Sequence, residues 1–257
     1  MSGADAPREA GGGTGSDPAP RDAAVGRPRL SRERILRTAL HVVDDEGLAS
    51  LSMRRVADEL GVEAMALYRY TPSKDDLLDG LVETLFVELE QTLADLGTGT
   101  SELAAVGDGT AAGTDRREAL RGIALAMYRI ALAHPHVVPL VATRPLTVPM
   151  ARRPLPVLRC HERLLAILQA SGLTDAAALK LHRAFISWVL GYIVVELREV
   201  VDDPDEPDPA FRLGLHRLPA RDFPRLRALG PALAVRGGEE QLGVGLDALL
   251  DRLTSAS

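Results

Sequence analysis

Cysteine, lysine and aromatic residues are scarce in this chain of 257 residues. Cys160 is the only cysteine, so no disulfide can form within the chain, and this cysteine usage is typical of a reducing cytosol. Only Lys74 and Lys180 among the 30 basic residues are lysines, and aromatic residues make up 4% of the sequence. We attribute the excess of arginine to GC-rich codons, and we expect a cytoplasmic protein.

No segment of the sequence resembles an export signal or a membrane span. The N-terminus has no apolar stretch, and no run of about 18 apolar residues could cross a bilayer. We therefore expect no membrane partner. The formal net charge of −6 argues against a protein coated with nucleic acid, although it allows a local basic patch.

Enzyme motifs are also missing from the sequence. It contains no GxSxG sequence, no P-loop and no GxGxxG after a predicted strand. Pro135 lies between His134 and His136, and the adjacent Cys160 and His161 point in different directions on a predicted helix, so we expect no metal site. We predict that the protein is not an enzyme and that it uses no cofactor.

Apolar residues recur with a helical period along most of the chain, which predicts an all-α fold. Beyond the N-terminal region we expect helices over approximately 115–133, 155–171, 174–201 and 239–254. Residues 1–26 contain almost no large apolar side chain, which predicts a disordered N-terminal arm. The stretch 97–114 is rich in Gly, Thr and Ala and is typical of a flexible loop.

Three helical segments near the N-terminus have the spacing of a helix-turn-helix. The first segment follows Ser31 and ends at Gly47, and the second follows Ser52 and ends at Gly61. A third segment runs from about Glu63 to Tyr70 and is short enough to protrude into a DNA major groove, which is about 12 Å wide. An ordinary helical hairpin has the same spacing, so this pattern leaves both interpretations open.

A longer pattern of residues decides between these two interpretations. The run from Arg32 to Leu81 resembles the DNA-binding domain of the tetracycline-repressor (TetR) family. The matching motifs are EG at Glu46–Gly47, LSMRRVA at Leu51–Ala57, LGV at Leu60–Val62, LYxY at Leu67–Tyr70 and KxxLL at Lys74–Leu78. In the second half, motifs similar to that family's ligand-binding domain are ATRP at Ala142–Pro145, VLGY at Val189–Tyr192 and EEQLGVGLDALLDRL at Glu239–Leu253.

The resemblance implies an N-terminal three-helix helix-turn-helix domain over 27–76 and a larger helical domain for ligand binding and dimerisation over 77–257. It further implies a homodimer that binds a palindromic DNA operator, and a small molecule that releases the protein from it. The regulator would then be a repressor. An activator, or a ligandless scaffold that binds a partner protein, are alternatives that the sequence leaves open.

Two sets of residues near the N-terminus are predicted to bind DNA. Arg27 and Arg29 belong to a basic arm, Arg27–Arg37, which could follow the DNA backbone or enter a minor groove. The second set, which the resemblance and side-chain chemistry indicate, consists of Ser52, Arg54, Arg55, Ala64, Met65, Ala66, Tyr68, Arg69, Tyr70 and Lys74. Arg54 could contact a guanine edge or a phosphate, and Arg55 a phosphate or solvent. Tyr68, Tyr70 and Lys74 match phosphate-contacting positions, while residues 64–66 suit thymine methyl groups. Glu63 could cap the recognition helix or accept a hydrogen bond from a cytosine.

The predicted ligand site departs from the family's tetracycline-binding members. At the positions that grip the drug and its magnesium ion, this chain has Glu90, Gly122, Ala126, Leu140 and Leu164. Because the side chain of Leu140 cannot ligate a hard cation, we expect no Mg²⁺–tetracycline complex. We expect instead a bulky, mostly apolar ligand, by analogy a polyketide-like compound whose exporter the protein controls.

The apolar lining expected for this ligand is Ala126, Leu140, Met150, Leu158, Leu165, Trp188 and Tyr192. Polar contacts are expected from Tyr128, Thr143, Arg144 and His161. Trp188 and Tyr192 could equally belong to the core or to the dimer interface, and Arg144 could cap a helix end. The dimer is expected to form through helices 174–201 and 239–254, with Leu242, Leu246, Leu249, Leu250 and Leu253 as a seam and Leu179, Phe185, Ile186, Val189 and Ile193 facing them.

Overall fold

The computed structural model describes residues 29–96, 111–197, 207–208, 211 and 213–254, except for the side chains of residues 111–115, 145–146 and 252–254. All regular structure in these residues is helical, which confirms the all-α prediction. The α-helices are α1 (Arg32–Glu46), α2 (Met53–Leu60), α3 (Ala64–Leu67), α4 (Lys74–Asp95), α5 (Ala111–Ala133), α6 (Val138–Thr147), α7 (Leu155–Gln169), α8 (Asp175–Leu197), α9 (Pro224–Leu233) and α10 (Gly238–Thr254).

The first two helices begin where their capping residues predict. The hydroxyl of Ser31 accepts from the amide of Arg34 at 3.2 Å, and the hydroxyl of Ser52 accepts from the amide of Arg55 at 3.1 Å. The predicted apolar face of α1 is buried in full, and it comprises Ile35, Leu36, Ala39, Leu40, Val42 and Val43. This face packs against α2 and α4, which makes α1 the centre of the N-terminal bundle.

Helix α4 joins the two halves of the molecule. It begins at Lys74 with Ser73 as its N-cap, packs against α1, and continues to contact α5, α6 and α7. Its buried residues include Leu77, Leu81 and Leu85, which belong to one continuous apolar face. The predicted domain boundary at residue 76 therefore falls inside the first turn of a single helix.

The C-terminal half is a bundle in which α8 contacts α5, α6, α7 and α10. Helix α5 begins at Ala111, inside the stretch 97–114 that we expected to be a loop, and residues 97–110 lie outside the described residues. Helices α6 and α9 were not predicted, because prolines at the second position of α6 and at the start and within α9 read as breaks in sequence. A proline in the first turn costs no hydrogen bond, so Pro139 and Pro224 are compatible with the starts of these helices. Pro145 and Pro231 lie farther along α6 and α9, where each lacks the amide for one intrahelical hydrogen bond.

Three of the five leucines that we expected to form the dimer seam lie inside the chain's own core. Leu242, Leu246 and Leu250 of α10 are buried, as are Phe185 and Val189 of α8, and α10 packs against α5 and α8. Leu249 is half-buried, and the side chain of Leu253 lies outside the described residues. The i, i+4 spacing identified an apolar face correctly, but spacing cannot distinguish an intrachain contact from an interchain one. The exposed apolar side chains on these two helices include Leu179, Val195 and Val244, at 42%, 78% and 56% exposure.

By length and composition, α8 meets the criterion for a membrane-spanning helix, with a mean hydropathy of 1.4 in its most apolar window. Within the described residues, α5 and α6 meet it only as a pair bent by 102°. The sequence had suggested no such segment. One third of the α8 window is buried, as is common for the core helix of a bundle.

Candidate nucleic-acid interface and ligand cavity

Helices α2 and α3 form the predicted helix-turn-helix. Gly61 ends α2 in the left-handed conformation, at φ 66° and ψ 38°, and the amide of Val62 donates to the carbonyl of Ala57 at 3.0 Å. This turn reverses the chain within three residues, so that α3 packs against α2. Leu67, which we predicted to be core, is fully buried and fixes α3 to the bundle.

Several of the predicted DNA-binding side chains are highly exposed. The side chain of Arg54 is 89% exposed and has only a loose ion pair with Asp58, with Nε and Oδ2 separated by 3.9 Å. Met65 is 75% exposed, whereas its neighbours Ala64 and Ala66 are partly buried, so Met65 is the side chain that projects furthest from α3. Exposed residues that follow at the end of this segment are Tyr68, Arg69, Tyr70 and Lys74.

Arg55 lies in a different environment from Arg54. Its guanidinium donates to Glu46 at the end of α1 at 2.6 Å and to Glu59 of α2 at 2.8 Å. The hydrogen bond from Arg55 also lowers the pKa of Glu46 below its ordinary value. The contact with Glu46 joins α1 to α2, whereas the contact with Glu59 lies within α2. Together they engage three of the five N–H donors of the guanidinium.

Glu63 does not cap α3 with its side chain, so the capping role that we considered for it is wrong. Its carbonyl accepts from the amide of Ala66 at 2.9 Å, which starts the helix without a side-chain cap. Of the predicted basic arm, Arg29 is described and exposed, while Arg27 lies outside the described residues.

A small cavity with a volume of about 40 Å³ lies between α4, α5, α6 and α8, and the empty space amounts to about 450 Å³ when its opening to solvent is included. It is lined by Leu85, Phe86, Leu89, Met127, Ile130, Ala131, Val138, Val141, Leu190, Ile193 and Val194. Every one of these side chains is apolar. The cavity therefore suits a compact hydrophobic group, and its walls offer no side-chain hydrogen bond.

None of the predicted ligand-binding residues lines this cavity, although several are next to residues that do. Ala126 and Tyr128 flank Met127, and Leu140 precedes Val141. Successive residues on a helix point about 100° apart, so an error of one position moves a side chain from the cavity into the surrounding core. Ala126, Tyr128 and Leu140 are accordingly buried.

Trp188 and Tyr192 belong to an aromatic cluster that packs against α5 and α10. The ring centroids of Trp188 and Tyr192 are 5.9 Å apart, and those of Tyr192 and Tyr128 are 6.0 Å apart. The hydroxyl of Tyr192 donates to the carbonyl of Gly238 at 2.7 Å, and the amide of Gly238 donates to Glu196 at 2.9 Å. These contacts hold the start of α10, which matches the core alternative considered for the two aromatic residues.

The remaining predicted ligand residues are dispersed. Thr143 is exposed and its hydroxyl donates to the carbonyl of Pro139 at 2.7 Å, while Met150 is 50% exposed. Leu158 and Leu165 are half-buried on α7. The expected polar contacts therefore do not converge on one ligand position.

His161 lies in a chain of hydrogen bonds. Its Nδ1 is 3.1 Å from Nε2 of His182, and its Nε2 is 3.5 Å from a guanidinium nitrogen of Arg153. Burial, with smaller contributions from His182 and Arg153, lowers the pKa of His161 to about 4. The ring is therefore neutral near pH 7. No group of three or more His, Cys, Asp or Glu residues is placed to hold a metal in the described ranges.

Arg144 connects the C-terminal end of α6 to the first turns of α4. Its Nε is 2.8 Å from the carboxylate of Asp79, and its Nη1 is 3.1 Å from that of Asp75. The guanidinium is mostly buried, with 19% of the side chain exposed. Arg144 thus links the cavity-lining helix α6 to the helix that begins at Lys74.

Two family models match the chain. The model "Bacterial regulatory proteins, tetR family" matches residues 35–81, and the model "Tetracyclin repressor-like, C-terminal domain" matches residues 110–256. The HTH-type transcriptional repressor DrrR1 of Streptomyces coeruleorubidus is 34% identical over 168 residues, which cover 65% of this chain and 53% of that protein. The match therefore spans about half the length of this curated relative.

Solved structures share the fold over most of the chain. A possible TetR family transcriptional regulator from Streptomyces coelicolor A3(2) superposes with a TM-score of 0.67 at 26% identity, covering 88% of this chain and 100% of that one. ActR of Streptomyces coelicolor, solved in complex with actinorhodin, gives a TM-score of 0.65 at 25% identity, covering 89% and 98%. With the helix-turn-helix and the helical C-terminal domain both matched, this chain belongs to the TetR family of transcriptional regulators.

Proposed function

We propose that this chain is a transcriptional repressor that binds a two-fold symmetric operator as a homodimer and leaves it when a bulky, mostly apolar small molecule binds. The observation that carries this proposal is the combination of an exposed helix-turn-helix with an apolar cavity, connected by the single helix α4. Two relatives support the two parts of this proposal. DrrR1 is a transcriptional repressor, and ActR was solved in complex with a small molecule, actinorhodin.

Within the DNA-binding head, we propose different roles for exposed and ion-paired residues. Arg54 contacts a base edge, because its guanidinium is free of a close ion pair and Arg suits the two acceptors of guanine. Met65 contacts thymine methyl groups, while Tyr68, Tyr70 and Lys74 hold the phosphates. We replace the earlier DNA-binding role of Arg55 with a structural one, since three of its five donors are engaged by Glu46 and Glu59.

For the ligand, we propose a polycyclic, polyketide-like compound that inserts an apolar group into the small cavity between α4, α5, α6 and α8 and moves these helices apart, and we expect the regulated gene to encode its exporter. The wholly apolar lining supports a hydrophobic ligand, and it supports the expectation that no Mg²⁺–tetracycline complex binds. The polar groups of such a ligand would lie at the cavity's opening, where they keep their contact with water.

We propose that the dimer forms through the outward faces of α8 and α10. Positions 179, 183, 187, 191 and 195 of α8 recur every four residues and are all exposed. Ser187 and Gly191 are small enough for a second helix to approach closely, and Val195 and Val244 are apolar side chains that the described residues leave mostly exposed. Two heads held in this way would reach major grooves about one DNA turn apart, roughly 34–36 Å.

The ligand is proposed to act through α6 and α4. Val138 and Val141 of α6 line the cavity, and Arg144 at the other end of α6 binds Asp75 and Asp79 beside Lys74. A ligand that displaces α6 would therefore move the first turn of α4 and change the spacing of the two heads. It can shift the DNA-binding equilibrium only by its difference in affinity for the two arrangements.

A gel-shift experiment tests the DNA-binding half of this proposal. The wild-type protein and the Val195→Arg variant are titrated onto DNA from upstream of the protein's own gene and of its neighbours. We expect a sequence-specific shift with two chains per site for the wild type, and at least about tenfold weaker binding for Val195→Arg, since one head alone makes half of the contacts. Absence of any sequence-specific shift would favour a scaffold that binds a partner protein.

A further inference from the structure

Two histidines in the corner between α5 and α6, which consists of residues 134–137, contact the C-terminal end of α1. Nδ1 of His134 is 2.8 Å from Oδ2 of Asp44 on α1, and its Nε2 is 3.2 Å from Oε2 of Glu88 on α4. Each ring nitrogen of His134 thus faces a carboxylate oxygen, one on α1 and one on α4, so this single side chain connects the two helices. The side chain of His134 is 15% exposed and that of Asp44 is 23% exposed, so water screens the contact between them only in part.

The second histidine caps α1 directly. Nδ1 of His136 is 3.0 Å from the carbonyl oxygen of Val43, which also accepts from the amide of Gly47 at 2.8 Å, and it is 3.2 Å from the carbonyl oxygen of Asp44. Both carbonyls belong to the last turn of α1. Between the two histidine contacts, Val137 on the neighbouring turn is fully buried. The corner is therefore attached to α1 by polar contacts on the outside and by an apolar contact within.

The burial of Asp44 disfavours intermediate positions between the α5–α6 corner and the end of α1. Oδ1 of Asp44 is buried and has no hydrogen-bond partner among the described residues, and its side chain is only 23% exposed. The contact between Oδ2 and His134 must therefore offset the free-energy cost of burying this carboxylate. If His134 moves away, Asp44 must become hydrated, which requires the end of α1 to leave the corner. Two discrete arrangements, attached and released, are favoured over a continuous series.

The same corner is part of the wall of the apolar cavity. Ile130 and Ala131, just before His134, line the cavity, as do Val138 and Val141 just after His136. A group that enters the cavity therefore contacts residues immediately before and after the four-residue corner, whose two histidines contact α1. Helix α1 in turn packs against α2 and is joined to it by the ion pair of Glu46 with Arg55.

We propose that His134 and His136 form a corner clamp that couples the cavity to α1, and through α1 to the helix-turn-helix. This coupling is separate from the contact of Arg144 with α4. The inference rests on the proposed function, because it presupposes that cavity occupancy and operator binding oppose each other. In this role His134 is a positioning residue, which contacts neither the DNA nor the cavity ligand.

The test measures the coupling between two ligands of the intact protein. The fluorescent apolar probe 8-anilinonaphthalene-1-sulfonate reports on the cavity, and a labelled operator fragment reports on the DNA-binding heads. The ratio of operator Kd with and without saturating probe is measured for the wild type, His134→Gln and His134→Arg. Glutamine presents its N–H donors from a single nitrogen and so does not reproduce the two opposed ring nitrogens of His134, whereas arginine offers donors on three nitrogens. The matched control is His41→Gln, on the exposed side of α1, where the His41 side chain is 66% exposed.

We expect a ratio on the order of tenfold for the wild type and for His41→Gln. In His134→Gln the ratio should fall to within about twofold of unity, while the two separate affinities change much less, and His134→Arg should restore most of it. A His134→Gln variant with an undiminished ratio would overturn the clamp and leave the proposed function intact. Independent binding of probe and operator to the wild type would overturn the proposed function, and the clamp with it.

Discussion

Arg54 and Arg55 are neighbours with the same side chain, yet their surroundings give them different chemistry. Arg54 projects from α2 with its guanidinium 89% exposed, while Arg55 bridges Glu46 and Glu59. The sequence predicted that the pair lies at the start of the second helix. It could not predict the bridge, because Glu46 is nine residues away and meets Arg55 only after the turn between α1 and α2 has formed.

Substitutions of Arg54 and Lys74 should separate base recognition from phosphate binding. Arg54→Ala removes a contact to one base edge, so discrimination at one operator position should fall by about 1–3 kcal/mol. Lys74→Ala should weaken all sequences alike and reduce the slope of log K against log salt by about 1. Operators with single base-pair changes, titrated at several salt concentrations, measure both quantities. If the two variants lost affinity in the same pattern, the proposed division of roles would be incorrect.

The buried histidine pair should make stability depend on pH. The pKa of His161 is about 4 in the folded protein and about 6.5 when unfolded, so the unfolded chain binds a proton in this range that the folded chain does not. The free energy of unfolding should therefore decrease as the pH falls from about 6.5 to about 4. Urea denaturation at pH 5 and pH 7 should show a smaller difference for His161→Gln, and an unchanged one for the control His41→Gln. A wild-type difference retained in full by His161→Gln would refute this assignment.

At the scale of helices, the predictions succeeded where a capping residue and an apolar face coincided. Ser31 and Ser52 both cap the helices that follow them. Met127, Val141 and Ile193 line the cavity one position away from expected ligand residues, whereas the part of the lining on α4 was not among the expected residues at all. The spacing of Leu190, Ile193 and Val194 on α8, and of Leu85, Phe86 and Leu89 on α4, could have identified the cavity. This spacing alone shows only that each helix has an apolar face. The relative rotation of the four helices must be known before these faces can be assigned to one cavity.

The packing between α8 and α10 should leave no room for an added methyl group at Gly245. A Cβ at Gly245 would collide with Cζ2 of Trp188, which is held in the aromatic cluster with Tyr192. Gly245→Ala should therefore lower the free energy of unfolding by about 1–3 kcal/mol, although alanine favours helices. The control is Gly122→Ala in α5, where a Cβ would meet no atom within 4 Å, and it should be neutral or stabilising. Equal effects of the two substitutions in thermal denaturation would contradict the close packing.

At the scale of the whole molecule, the family and the all-α architecture were predictable because the motif from Arg32 to Leu81 extends over fifty contiguous residues. The surface through which two chains meet was not, since leucines expected in the dimer seam fill the chain's own core. Helical periodicity reports that a face is apolar, and only the assembled bundle determines which apolar faces it leaves exposed. The central claim concerns communication across this assembly, from an apolar cavity to the DNA-binding heads.

Ligand-induced release from the operator tests that claim most directly. The operator complex is titrated with polycyclic apolar compounds while fluorescence anisotropy reports bound DNA, for the wild type, Val141→Asp and Leu132→Asp. Val141 lines the cavity, whereas Leu132 is 42% exposed on α5 outside it. We predict release of the wild type and of Leu132→Asp at similar concentrations, and at least about tenfold higher concentrations for Val141→Asp, because a buried carboxylate opposes an apolar ligand. Equal sensitivity of Val141→Asp, or release by hydrophilic compounds alone, would contradict the account.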